Sequence, residues 1–390
     1  MNFTLKHPAI YAAFDAFPTA KGASTHIFHF SQALFNLMSG GGLYTLAPQD
    51  ALDYQFEDGV EMIRFNQPIA NFLERSHAFG CQFYDLLANQ VDIRLIHFRD
   101  PWSGIPSLLH RQRRAPQCQI IYEVNGLPSI ELPYRYPHLS VRTLQKIRGL
   151  ENYCLHQADH ILCPAHTIRQ HLVGRGIADN KIRVIANGAE IAVATPDAAP
   201  MAEPYLIYFG ALQPWQGLDV LLKAFSYLLD YKDLRLVICA SHRERYSKPY
   251  RRLAEKLGID DRIIWHFQLG KETLYHWVRH AFASVAPLQE CQRNLEQGCA
   301  PLKILESMAL ATPVVASDIP AVREILPPEQ GGLLTRANRP PELARTIRIL
   351  LEHPAYARQL GEQGAQRIQE YFSWDQKKHE LQNFYRKILS

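Results

Sequence analysis

Residues 300–312, APLKILESMALAT, set a lysine and a glutamate three positions apart just after a proline: Lys303 and Glu306 behind Pro301. Proline suits the first turn of a helix, where its missing N–H would have had no partner anyway. An ammonium near a helix start can meet phosphates, because the free N–H groups and the dipole there already favour an anion. A carboxylate one turn further on can accept from hydroxyls. The same spacing also makes an ordinary surface pair, worth only a few tenths of a kcal/mol when exposed. At about 100° per residue, Leu302, Leu305 and Ala309 share one face, with Met308 beside them. Lys303, Glu306, Ser307 and Leu310 take the opposite side.

Two further loops have residue types suited to binding an anion. In FDAFPTAKGASTHIF, Pro18 and Gly22 mark a turn and Ser24 or Thr25 is a candidate helix cap; Gly22 would let backbone approach a phosphate. In YFGALQPWQGLDVLLKAF, Gly210 ends an apolar run. Gly217 precedes a helix with Leu218, Leu221, Leu222 and Phe225 on one side. Both loops also read as plain strand-to-helix turns, with Trp215 packed over the second. No metal is expected: there is no D-x-D, no H-E-x-x-H and no paired Cys/His spacing. The nucleophile elbow G-x-S-x-G and the G-x-x-x-x-G-K-[ST] phosphate loop are also missing.

These loops need a scaffold. A chain of 390 residues exceeds the size of one hydrophobic core, so two domains are expected. Strand-like runs alternate with amphipathic helices almost throughout, which predicts an α/β fold with parallel sheets covered on both faces. The one composition break, IAVATPDAAPMAEP at 191–204, predicts a linker. Ligands of doubly wound sheets lie beyond the carboxyl ends of the strands, which directs attention to the strand-to-helix loops.

The charge balance, 42 basic against 38 acidic residues, gives +4 and argues against general nucleic-acid binding. Seven scattered cysteines without a C-x-x-C read as reduced thiols of a cytoplasmic protein. The N-terminus lacks a signal-peptide pattern, and no apolar run approaches the roughly 18 residues of a membrane span. Basic clusters at 111–114 and 242–252 are solvated surface or a peripheral contact with an anionic inner-membrane face. Trp102, Tyr134 and Tyr136 are candidates for stacking on sugars or for filling the core.

YFGALQPWQGLDVLLKAF, HFQLGKETLYHWVRHAFASVAPL, APLKILESMALATPVVASDIPAVREIL and GGLLT, in that order, resemble the donor-binding half of retaining glycosyltransferases of family four (group 1). LENYCLHQADHILCPAHTIRQHLVGRGIADNKIRVIANGAEI resembles the end of their N-terminal domain. Together these blocks cover most of residues 145–372.

The resemblance implies the GT-B architecture: two doubly wound Rossmann-like domains with a cleft between them. The acceptor-side domain would span 1–193, the linker 194–204 and the donor domain 205–372, with a helix over 373–390 packing back on the first domain. It implies a retaining hexosyltransferase that needs no metal and no cofactor. Its donor would be a nucleotide-diphosphate sugar and its acceptor a glycan, a lipid-linked sugar or a small molecule. Glu306 matches the second glutamate of the E-x7-E motif, which binds ribose hydroxyls. Lys303 sits where a PLK-x-x-E subgroup presents a cation to the diphosphate, and Gly22 matches the N-domain glycine loop. Gly210, Gln213, Gln216, Gln268 and Leu302 complete the donor side.

The chain departs from the pattern at five places, one of them Ala311, where glycine is usual. Gly298 stands where the first glutamate belongs, with Glu290 and Glu296 as substitutes from the same loop. Ala211 and Gln216 replace the usual arginine and lysine, with Arg293 as a replacement cation. Asn125 replaces a histidine after an acceptor-domain strand, and Asn125, Glu290, Arg293 and Glu296 are candidate contacts to the acceptor or the donor sugar. A nucleotide- or glycan-binding subunit without transferase activity and a sugar-nucleotide epimerase are the competing readings.

Overall fold

The computed structural model describes residues 5–19, 21–90, 92–191 and 198–390. They form two compact units. The first holds the described residues up to Thr19, Ala23–Ala186 and Lys377–Ser390; the second holds Lys21, Gly22 and Asn187–Gln376. Residues 192–197, within and beside the expected linker, lie outside the described residues.

The first unit is built on β1 (Ala9–Ala16), β2 (Gly41–Leu46), β3 (Tyr54–Glu57), β4 (Val60–Phe65), β5 (Leu95–Phe98), β6 (Gln119–Glu123), β7 (His160–Cys163) and β8 (Ile182–Val184). They join in the order β3-β4-β2-β1-β5-β6-β7-β8. The central strands are buried on both faces, so they read as unbroken apolar runs rather than as alternating ones. Pairing is parallel except at one edge, where β3 runs antiparallel to β4. That hairpin corrects the expectation of a wholly parallel sheet. Its turn is Asp58-Gly59, both with positive φ (47° and 79°), the pair that a tight two-residue hairpin favours. Within this unit the C-terminal helix Trp374–Leu389 buries Leu381 and Tyr385.

The second unit contains β9 (Tyr205–Gly210), β10 (Arg235–Ala240), β11 (Ile263–Phe267), β12 (Ala283–Ala286), β13 (Val314–Ser317) and β14 (Gly332–Thr335), all parallel. Their order is β11-β10-β9-β12-β13-β14. Successive strands lead outward from β9, and the chain then returns to the other side of β9 at β12. The order therefore reverses between β9 and β12, and the crevice at that switch point is where such sheets bind ligands. Leu206, Tyr208, Leu236, Ile238, Val285 and Val315 form part of the core beneath the helices. No helix among the described residues is long and apolar enough to cross a membrane.

Candidate functional site

The loops that leave β9 and β12 meet at Lys303. Gly210, the last residue of β9, has φ +116°, and a Cβ there would lie 3.5 Å from Lys303 Cε and 3.6 Å from its Nζ. Glycine thus leaves the space and the backbone freedom that bring the lysine over this loop. Lys303 Nζ sits 4.2 Å from the centre of the Tyr208 ring, two residues earlier on β9. The helix carrying it, Leu302–Ala309, follows Pro301 and has no side-chain cap. Its first N–H groups point the way an anion would bind.

Of the two readings open for Lys303, a solvated surface pair and a lysine held at the sheet edge, the solvated one is not found. The helix buries Lys303, Ile304, Leu305, Ser307 and Met308, while Leu302 and Glu306 are half-buried. Ser307 Oγ donates to the Lys303 carbonyl (2.7 Å) and lies 2.8 Å from Ser284 Oγ on β12, so a polar strip of the helix faces the sheet. Lys303 is only 8% exposed and its Nζ has no hydrogen-bond partner among the described residues. Burial pulls its pKa down to about 7, against an opposing pull from Glu306. The two side chains form no direct ion pair among the described residues, so the surface-pair reading is set aside.

Glu306 has its own surroundings. Burial pushes its carboxyl up to about 7, opposed by Lys271, by a hydrogen bond from Tyr275 and by Lys303; Glu190 adds to the rise. The Tyr275 hydroxyl donates to Glu306 Oε1 at 3.4 Å, and Lys271 is paired with Glu190. Tyr208, Tyr275, Lys271 and Glu190 were not found by sequence reasoning. Tyr275 is four residues after Lys271 on the helix Lys271–Arg279, a spacing that puts both on one face.

The loop from 211 to 217 is tightly held. The Leu212 N–H donates to His242 Nδ1 (2.9 Å) and the Tyr208 hydroxyl to the Ala211 carbonyl (2.8 Å). Buried Asn294 donates to the carbonyls of Trp215 (3.0 Å) and Gln289 (2.7 Å). Gln216 Oε1 is buried with no partner among the described residues. Gly217 takes φ +72°, and any Cβ there would collide with the Pro287 carbonyl. Gly217→Ala is therefore expected to cost about 2–4 kcal/mol, from left-handed strain plus displacement of that carbonyl. A melting curve no different from the native one would refute this.

The remaining candidates are scattered. Gln213 is half-buried before the turn Pro214–Gln216. Gln268 is exposed at φ +52°, its N–H bonded to the Ala240 carbonyl (2.8 Å). Arg293 stacks over Trp215 (5.2 Å) and donates to Asn294 Oδ1 (3.1 Å). Both contacts lie within its own loop region. Glu290 and Glu296 are exposed; the Glu290 N–H bonds Asn338 Oδ1 (3.3 Å), and Gln292 donates to Glu296 (3.0 Å). Neither carboxylate contacts Lys303 or Glu306.

Gly22 opens the helix Gly22–Met38 and is grouped with the second unit. Ser24 is not its cap but sits inside the first turn, where its Oγ accepts from the Thr19 N–H (2.9 Å). Asn125, in the first unit, donates through Nδ2 to Glu123. Trp102 meets Phe14 (6.5 Å) and Phe72 (6.1 Å) edge-on, as a core aromatic would. Both basic clusters are partly engaged locally, Arg111 with Asp159 and Arg251 with Glu244. Among the described residues, no group of three or more His, Cys, Asp and Glu side chains is placed to hold a metal ion.

Residues 195–367 match the family model described as Glycosyl transferases group 1, and residues 20–193 match Glycosyltransferase Family 4. A D-inositol 3-phosphate glycosyltransferase of Streptomyces avermitilis is 30% identical over 177 residues, covering 43% of this chain and 36% of that protein. Its namesake in Corynebacterium efficiens is 28% identical over 314 residues, covering 76% and 71%. The chain thus spans only about a third of the first relative's length.

Sucrose-phosphate synthase from Thermosynechococcus elongatus superposes with a TM-score of 0.81 at 20% identity, over 97% of this chain and 98% of that one. Anabaena Alr3699/HepE, solved in complex with UDP-glucose, gives 0.75 at 14%, over 97% and 99%. These likenesses show the fold. With both halves matched and the sheet orders above, the chain belongs to the group 1 glycosyltransferases and has their GT-B fold.

Proposed function

We propose that the protein transfers a hexose from a nucleotide-diphosphate sugar to a hydroxyl of a glycan, a lipid-linked sugar or a small molecule, with retention and without a metal or cofactor. The observation that carries this reading is the buried Lys303 ammonium without a hydrogen-bond partner among the described residues, beside an uncapped helix start. A desolvated cation of that kind is costly unless an anion completes it. A diphosphate offers two negative groups that fit the ammonium and the free N–H groups together. Glu306, one turn on, accepts from the two ribose hydroxyls. The bound UDP-glucose of the HepE structure supports the donor class.

In the reaction the bond from the anomeric carbon to the diphosphate oxygen breaks, and the acceptor oxygen bonds the same face of that carbon. The acceptor's proton passes to the departing phosphate oxygen. Lys303 and the helix start stabilise the charge that develops there, so the protein contributes position and electrostatics rather than a nucleophile.

A thermal-shift panel of UDP-, GDP- and ADP-sugars tests this, since a bound donor raises apparent stability by mass action. One nucleotide series should shift the native protein, and Glu306→Ala should lose most of that shift. A flat response across the panel would remove the reading.

A further inference from the structure

Tyr275 is the one hydrogen-bond partner of the Glu306 side chain among the described residues. It lies on the helix Lys271–Arg279, one turn after Lys271, and its ring packs against the buried cluster that includes Phe209, Val278 and Leu310. Lys271 Nζ is 5.4 Å from the centre of that ring and pairs with Glu190. The stretch leading to Glu190 is held as well. Asn187 Nδ2 donates to the Ala300 carbonyl (3.0 Å), two residues ahead of the helix that carries Glu306. Glu190, Lys271, Tyr275 and Glu306 thus form a chain of contacts that ends on one carboxylate oxygen, Oε1.

The hydroxyl has one sense in that chain. Burial, with Glu306 and Glu190 nearby, holds the Tyr275 phenol far above its ordinary range, so it keeps its proton and donates. At 3.4 Å it guides Oε1 without saturating it, and Glu306 Oε2 has no hydrogen-bond partner among the described residues. A carboxylate steered from one edge offers both oxygens, in one plane, to two neighbouring hydroxyls. The 2′ and 3′ hydroxyls of a ribose are such a pair. We propose that Tyr275 is a positioning residue that sets the plane of Glu306 for both ribose hydroxyls at once, and so makes the site prefer ribonucleotides to 2′-deoxyribonucleotides. This rests on the reading of Glu306 as the acceptor for ribose. Without the Tyr275 hydroxyl, the carboxylate turns about its side-chain bonds and meets one ribose hydroxyl at a time.

Tyr275→Phe keeps the ring, its packing and its contact with Lys271, and removes only the donor. It should melt within about 2 °C of the native protein, whereas a fall of more than about 5 °C would make the hydroxyl a prop of the fold and overturn the assignment. Affinities for UDP and 2′-deoxy-UDP are measured by calorimetry at pH 8, where the Glu306 carboxyl, pushed up to about 7 by burial, is ionised. The native protein should bind UDP at least about tenfold more tightly than 2′-deoxy-UDP, the worth of one hydrogen bond to a charged group. In Tyr275→Phe the affinity for UDP should drop about tenfold and that for 2′-deoxy-UDP should hold, which leaves a preference below about twofold. With UDP-glucose as substrate, KM should rise about tenfold while kcat holds within about twofold, because the ribose contact is the same before and during transfer.

In Glu306→Ala the preference should already be gone, and adding Tyr275→Phe should change neither affinity. A Tyr275→Phe protein that keeps the native preference, or a further loss of UDP affinity when it is added to Glu306→Ala, would overturn the assignment. The native protein keeps the two failures apart. No binding of UDP there, or equal binding of UDP and 2′-deoxy-UDP, removes the ribose reading of Glu306. A native preference that survives Tyr275→Phe removes only the role of Tyr275.

Discussion

Lys303→Met is expected to lower turnover of a nucleotide sugar by at least about 100-fold while raising the melting temperature of the empty protein. Both effects come from one fact: the ammonium is buried against Tyr208 with no hydrogen-bond partner. Removing one preorganised donor aimed at developing charge typically costs about 10²–10³ in rate. Methionine is one atom shorter but keeps an unbranched apolar chain whose thioether packs well beside an aromatic ring. It also removes a desolvated cation, a change worth roughly 1–3 kcal/mol, or about 2–4 °C per kcal/mol for a domain of this size.

The pH dependence has a definite sign. Lys303 binds its proton in the unfolded chain from about pH 10.5 downward but in the folded protein only from about 7. Its destabilising contribution is therefore complete below pH 7, shrinks as pH rises, and is gone near 10.5. The gain from methionine should be largest at pH 6.5 and small at pH 9.5. Calorimetric melting at the two pH values, with a turnover assay, checks both halves. A variant that is less stable at pH 6.5, or one that keeps more than a tenth of native turnover, would remove Lys303 from the proposed role.

Much of the fold was legible because most of the parallel strands are short apolar runs followed by a helix, and connections between consecutive units are constrained. The β3–β4 hairpin was not. Residues of β3 are mostly exposed, so no buried face marks Tyr54–Glu57 as a strand. The only sign was Asp58-Gly59, a turn dipeptide between two modest runs.

In the candidate site, Lys303, Glu306 and Gly210 could be singled out only through the order of the blocks around them, because their spacing alone also fits a surface pair and a plain strand-to-helix turn. Their burial could not. Helical periodicity assumes that one face is solvent, yet the helix Leu302–Ala309 packs near β12 on one side and beside the helix Pro354–Arg367 on another. That packing desolvates Lys303 and Glu306 separately and leaves no surface pair between them. Tyr208 and Tyr275 stayed hidden because an aromatic in a strand or helix reads as core.

Binding of UDP-glucose is expected to move protons in opposite directions on the two sides of neutral pH. In the empty protein both Lys303 and Glu306 titrate near 7, the lysine displaced downward and the carboxyl upward by burial. The bound donor asks for a charged lysine against its diphosphate and an ionised carboxylate against its ribose. At pH 8 the carboxylate is already ionised and the lysine is mostly neutral, so binding takes up close to one proton. At pH 6 the lysine is already charged and the carboxyl is mostly protonated, so binding releases one. Affinity is then greatest near pH 7 and falls by up to about tenfold per pH unit on either side. The sugar nucleotide itself does not interfere, because its diphosphate is esterified at both ends and has no group titrating in this range. Calorimetry in two buffers of different ionisation enthalpy measures the proton count directly. Lys303→Met should abolish the uptake at pH 8 and leave the release at pH 6, while Glu306→Gln should do the reverse. A proton count near zero at both pH values in the native protein would show that neither group changes charge on binding, and would remove the diphosphate and the ribose from Lys303 and Glu306 together.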